Sequence, residues 1–372
     1  MSKIFELFGY RLDAWNQEAA GNREKAWCPF MGAECDGGGN RYLSALDLDK
    51  ITSLRPYFPN KKLVQAGVCS LRLKGNEQPW IVCPRRLLSL KHNAGHDYQT
   101  QVKKDLARYA SLSNGKRHRA WSEVKMKVAT VTEDDQEKFF DYSFDYIIAG
   151  EQRMQLSKVA IVLGLSERKT KTIAEQNGFT FAMREGELWI EDFPSQPIVI
   201  VEIMTSSTSG GDKKKRSQIA MAFEDAVING SKHLAPGINY RQVWARMVSQ
   251  LIVKSQVGLA WGGKTIWVLQ DVLTDYISDS TALNLSRYLS QHANEVNVLA
   301  FGYGDLDSNT KENPIIEIKE SEFFAGPISE NSNGKAVGGF VDIVKIGAAP
   351  PVEHLWRSLF LKAPSGYIDV KT

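Results

Sequence analysis

The chain predicts an α/β protein on a mixed sheet flanked by helices, with a cysteine-bearing N-terminal region and a small helical insertion. Three observations carry that expectation. Apolar strands alternate with amphipathic helices from residue 97 onward. All four cysteines fall before residue 84, and a helix–turn–helix pattern interrupts two strands. At 372 residues and 43% hydrophobic content, the chain can bury a sizeable core and holds more than one structural unit. We divide it into a cysteine region at 1–95, a sheet core at 96–151 and 193–372, and an insertion at 152–192.

The N-terminal region is turn-rich, with Gly37-Gly38-Gly39-Asn40 and several prolines, and little regular structure is expected there. Cys28, Cys35, Cys69 and Cys83 each sit within two residues of a glycine or proline, in the spacing C-x6-C, a long gap, then C-x13-C. Two disulfides or four unrelated buried thiols would be the plain alternatives. Met1 to Tyr10 carries Lys3 and Glu6 and has no long apolar run, so it does not resemble a signal peptide. No stretch approaches the roughly 18 apolar residues of a membrane span. We therefore expect a soluble, cytoplasmic protein with no membrane partner, in which structural disulfides are rare. One four-thiolate site follows as the expectation, with zinc and iron both suited to it.

The remaining elements read in order. Tyr98, Val102, Leu106 and Tyr109 recur at helical spacing over 97–112. Residues 121–131 and 139–149 alternate as strands, joined by a polar loop from Thr132 to Lys138. Met154 to Gly164 and Glu167 to Asn177 predict two helices, with Ser166 as N-cap and Gly178 as terminator. A short β-pair follows around Arg184-Glu185-Gly186. Together these look like a small winged helix–turn–helix, whose second helix would present Arg168, Lys169, Lys171 and Thr172 to a DNA groove. Pro197 to Met204 is a dense apolar strand, Ser217 to Asn229 and Tyr240 to Ala260 are helices, and Lys264 to Gln270 is a buried strand. The second of these helices carries Val243, Met247, Leu251 and Ile252 on one side.

Charge is unevenly spread. Residues 1–120 hold 20 Lys+Arg against 11 Asp+Glu, and the rest of the chain holds 26 against 32. A basic front joined to an acidic remainder suits a phosphate-binding surface coupled to a carboxylate site. Arg41, Lys61, Lys62, Arg72, Arg85 and Arg86 are the candidate phosphate contacts near the cysteines, and Lys213 leads the run Lys213–Arg216. Two carboxylates interrupt apolar strands: Asp145 within Tyr142–Ile147, and Glu202 after Ile198–Val201. A buried carboxylate needs a cation or a hydrogen-bond partner, and a shared Mg²⁺ would serve both. Glu123 is a candidate third.

These residues carry a resemblance. Cys28-Pro29-Phe30, Gly67-Val68-Cys69, Val82-Cys83-Pro84-Arg85-Arg86, Phe144-Asp145 and Val201-Glu202-Ile203-Met204-Thr205 resemble NotI-type restriction endonucleases of the PD-(D/E)XK nuclease superfamily. The similarity extends through Tyr240-Arg241-Gln242-Val243 to Trp267. It implies a PD-(D/E)XK restriction-endonuclease-like mixed sheet, with a four-cysteine metal-binding fold ahead of it and the helix–turn–helix-like insertion within it. It further implies structural iron on Cys28, Cys35, Cys69 and Cys83, and catalytic Mg²⁺ on Asp145 and Glu202 with Glu123 as an additional acidic position. The activity implied is that of a type II restriction enzyme. It would hydrolyse double-stranded DNA to leave 5′-phosphates, as a homodimer at a palindromic site that a cognate DNA methyltransferase also recognises. Two features depart from the family pattern. Met204 stands where Lys or Gln is usual, so Lys125 or a member of Lys213–Arg216 is expected to substitute. The 152–192 segment is longer than the family's connection. The competing readings are a structure-specific repair nuclease and a DNA-binding regulator with a degenerate core.

Overall fold

The computed structural model describes residues 2–38, 45–75, 78–90, 98–112, 118–131, 137–230, 232–306, 315–332 and 335–344. Contrary to expectation, the cysteine region has regular structure. Strands β1 (Ser2–Leu7) and β2 (Val68–Leu73) pair antiparallel at the centre of a four-stranded sheet, flanked by Tyr10–Arg11 and Trp80–Ile81. The glycine-rich turns punctuate short strands rather than replace them. Gly67 is required by packing: a Cβ there would lie 2.3 Å from the Phe8 ring.

Helix α1 (Thr100–Tyr109) leads into β3 (Arg119–Val131) and β4 (Glu137–Gln155). The tip of the chain between strands is α2 (Leu156–Leu163), α3 (Glu167–Gln176) and β5 (Phe181–Arg184), after which β6 (Glu187–Met204) returns. Ser166 caps α3 as predicted, accepting a bond from the Lys169 N–H. Glu185 and Gly186 both have positive φ, which gives the β5–β6 hairpin its tight turn. The chain closes with α4 (Ile219–Asn229), α5 (Tyr240–Ala260), β7 (Lys264–Gln270), α6 (Asp271–Ser280), β8 (Val296–Tyr303) and β9 (Ile318–Gly326).

These strands form one seven-stranded mixed sheet in the order β9-β8-β7-β6-β4-β3, with β5 on the outer half of β6. β3, β4 and β6 are antiparallel neighbours, whereas β6, β7 and β8 run parallel. Side chains alternate between faces at period two. Val199, Val201, Ile203, Ile266 and Val268 pack with Val102, Leu106 and Tyr109 of α1. Met204, Trp267 and Leu269 pack on the other face with Met247 and Leu251 of α5 and Phe223 of α4. The N-terminal sheet belongs to this second core, its Phe8 ring meeting Phe223 edge-on at 5.9 Å.

The 152–192 segment grows out of two strands of the large sheet. β4 and β6 run on into it as a pair, from Tyr146–Val201 out to Gln155–Trp189. A small core of Leu156, Val159, Ala174 and Ile190 caps their end.

A buried ion pair joins the N-terminal sheet to the large one. Glu6 and Arg86 are both fully buried and 3.0 Å apart. Ser70 and Tyr303 each donate to Glu6 Oε2 at 2.7 Å, and Arg86 donates to the Ile316 carbonyl at 2.6 Å. Removing one partner strands the other charge. Arg86→Met should therefore cost about 3–5 kcal/mol in urea denaturation, and adding Glu6→Gln should restore part of the loss.

Candidate active site

The ladder between β4 and β6 pairs Tyr146 with Val201, so one step along Asp145 falls opposite Glu202. On the other side, Phe144 pairs with Val124 and Tyr146 with Ser122, so Glu123 falls opposite Asp145. The three predicted carboxylates thus occupy one row across three strands. Asp145 Oδ2 accepts the Ile203 N–H at 2.8 Å. Glu123 turns away from this row: its backbone is left-handed, with φ 54°, and its carboxylate pairs with Arg85 at 2.8 Å.

Glu202 is buried on the α5 side of the sheet. Lys254, at the inner end of α5, donates to its Oε2 at 2.6 Å. Its Oε1 and the indole N–H of Trp267, the residue paired with Glu202 on β7, are buried without hydrogen-bond partners. Burial, then the charge of Asp145, pushes the Glu202 carboxyl up from 4.5 to about 7, against the pull of Lys254. A cavity of about 450 Å³ opens over the pair, lined also by Thr205–Thr208, Arg246 and Gln250.

Lys254 is the residue that sequence reasoning missed. Lys125 lies instead in a neighbouring cavity of about 200 Å³, with Glu123, Arg85 and the other side of Asp145. Of the basic run, Arg216 pairs with Glu224 and Asp225, and none of Lys213–Arg216 lines the larger cavity. The signal was present in α5. Position 254 lies seven residues after Met247 and three after Leu251, so a lysine there falls beside the buried face, where a charge requires a partner.

The cysteines form no disulfide. Cys28, Cys69 and Cys83 are buried and Cys35 is half-buried. Burial, then Cys83, pushes the Cys28 thiol up to about 12, and burial followed by Cys28 and Cys83 raises Cys35. Cys69 and Cys83 share a hydrogen bond, which keeps the proton on Cys69 and lowers Cys83, and the N–H groups of Arg86 and Arg85 also favour the Cys83 thiolate. Backbone N–H groups of Phe30 and Met31 serve Cys28, that of Gly37 serves Cys35, and that of Gly9 donates to Cys69 Sγ at 3.2 Å. The four thiols therefore feel one another. Among the described residues, however, no three His, Cys, Asp or Glu side chains converge as a metal-holding group. The expected four-cysteine metal fold is present here as a thiol neighbourhood and not as an assembled ligand cluster.

The predicted phosphate contacts divide. Lys62, Arg168, Lys169, Lys171 and Lys213 are exposed. Lys61 pairs with Glu34, and Arg72 lies over the Phe5 ring at 4.3 Å. Arg85 is buried between Asp36 and Glu123, and Arg86 is consumed by Glu6. Acids distant in sequence claim both, although Arg85 still lines the smaller cavity. Arg41 lies outside the described residues. Among the described residues no helix is long and apolar enough to cross a membrane.

No protein-family model, no curated protein and no solved structure matches this chain.

The raised Glu202 carboxyl has a thermodynamic consequence. The folded state binds this proton more tightly than the unfolded chain, so its contribution is full below about pH 4.5 and is lost as pH rises through about 7. Urea midpoints of the wild type should fall across that window, and Glu202→Gln should remove this component of the slope.

Proposed function

We propose that this protein is a Mg²⁺-dependent endonuclease of the PD-(D/E)XK type, acting on double-stranded DNA as a site-specific restriction enzyme. One observation carries the reading: Asp145 and Glu202 stand opposite each other on adjacent strands, and Lys254 touches Glu202 in a cavity open to substrate. The element order around them supports it: a helix, three antiparallel strands, two helices, and a strand parallel to the third. Met204 had left room for a degenerate, DNA-binding core. A lysine delivered from α5 to the same carboxylate removes the reason for preferring that reading.

The residues fit a divalent cation, since the orphaned Oε1 of Glu202 and the carboxylate of Asp145 are hard oxygen donors. When bound, Mg²⁺ would lower the pKa of water and offset charge on the phosphate. The chain supplies the rest. Lys254 holds Glu202 and places an ammonium where attacking water and the charged phosphate meet. Thr205–Thr208 offer hydroxyl and backbone donors on the cavity wall. Water attacks phosphorus as the bond to the 3′-oxygen breaks, leaving a 5′-phosphate. A homodimer would cut both strands of a palindrome, with a cognate methyltransferase protecting the same site.

A structural iron or zinc ion on Cys28, Cys35, Cys69 and Cys83 is part of this proposal. The four thiols are free and perturb one another, and backbone N–H groups lie against their sulfurs, although no three of them converge among the described residues, so binding would have to draw them together. The exposed face of α3, with Arg168, Lys169 and Lys171, is proposed to contact DNA alongside Lys62 and Lys213.

Two outcomes are expected. Mg²⁺ and plasmid DNA should yield discrete fragments whose sequenced ends share one site. Glu202→Ala and Asp145→Asn should lose at least ~100-fold in cleavage while still binding DNA in Ca²⁺. Smeared products would indicate a non-specific nuclease, and a footprint without cleavage a regulator. Elemental analysis of the purified protein should find one iron or zinc per chain, and Cys83→Ser should lose it together with folding stability.

A further inference from the structure

Helix α5 carries two parallel rows of side chains at four-residue spacing. Val243, Met247 and Leu251 are buried and hold the helix to the sheet. Gln242, Arg246, Gln250 and Lys254 form the adjacent row, and all four line the cavity over Asp145 and Glu202. Residues four apart make one of the natural ridges of a helix. Exposure falls along this one: Gln242 and Arg246 are exposed, Gln250 is half-buried and Lys254 is buried. The row is a polar ramp from solvent down to the carboxylates.

The facing wall is tied to the start of the same helix. Ser209 donates to the Gly237 carbonyl and the Asn239 N–H to the Ser207 carbonyl, each at 2.7 Å, and Asn239 caps α5 through the Gln242 N–H. Thr205–Thr208 and the ramp are therefore one trough, lined by amides, hydroxyls and a guanidinium. That chemistry suits a sugar–phosphate backbone: Arg246 offers a fork to phosphate oxygens, and the glutamines donate to or accept from sugar and phosphate alike.

We propose that this ridge is the track of the cleaved strand, with Lys254 at the scissile phosphate and Arg246 holding a phosphate further along. The proposal rests on the nuclease reading. From Lys254 to Arg246 is ~12 Å of helix axis, or roughly three nucleotides of one strand. Arg246 is a binding residue in this scheme and Lys254 a catalytic one.

The test measures binding to a short duplex of random sequence in Ca²⁺, as a function of salt. Arg246→Gln should flatten the slope of log K against log salt by about 0.9, and Arg246→Lys should keep it. In Mg²⁺, Arg246→Gln should raise KM several-fold with kcat little changed, whereas Lys254→Ala should lower kcat. An unchanged salt slope in Arg246→Gln, while wild type binds and cleaves, overturns the track and leaves the nuclease reading standing. An Arg246-dependent slope in a protein that never cleaves overturns the nuclease reading instead. A wild type that neither binds nor cleaves overturns both.

Discussion

The antiparallel pairing of β4 and β6 is the constraint on which the rest depends. It runs from Tyr146–Val201 to Gln155–Trp189 and joins the antiparallel half of the sheet to the parallel half. A one-residue slip would send every side chain to the opposite face. Val199, Val201 and Ile203 would then leave the α1 core, and Glu202 would lose Lys254. The apolar alternation that holds the sheet together is thus the same pattern that sets two carboxylates side by side. Fold stability and the chemistry of the site share one register.

Such a site is costly in isolation. Glu202 is buried beside a like charge, which explains its raised pKa, and Lys254 only partly compensates. A divalent cation would complete the balance, and that unfinished electrostatics is the physical content of the proposed metal site. The Glu6–Arg86 pair is the opposite case. Every oxygen of Glu6 is bonded to Arg86, Ser70 or Tyr303, and the result is a joint rather than a reactive centre.

Much of this was legible in the sequence. Asp145 and Glu202 stood out because each breaks an apolar run; period-two alternation located β3 and β4, and apolar density located β6 and β7, while the interior strand β8 went unassigned. The α2–α3 pair was visible in Ser166 and Gly178. What stayed hidden depended on contacts between distant residues. Lys254 lies 52 positions from Glu202, and along the long helix only the apolar side carries a periodic signal. Arg85 and Arg86 had the composition of phosphate contacts, yet Asp36, Glu123 and Glu6 claim them from across the fold. Around the cysteines, the two-residue strands Trp27–Cys28, Ala33–Glu34 and Trp80–Ile81 leave no periodicity to read, and the six-residue β1 and β2 pair across some sixty residues of turn-rich chain.

The continuity of β6 has a geometric corollary. Twelve residues of extended chain separate Ile190, in the small core under α2 and α3, from Glu202. At ~3.3 Å per residue that is at most about 40 Å of strand, bent where its pairing with β4 shifts register between Ala149 and Gly150 and between Gln152 and Met154. The strand is a ruler. The small core under α2 and α3 is held at a distance from the carboxylates set by residue count, much as a jig fixes the gap between two tools.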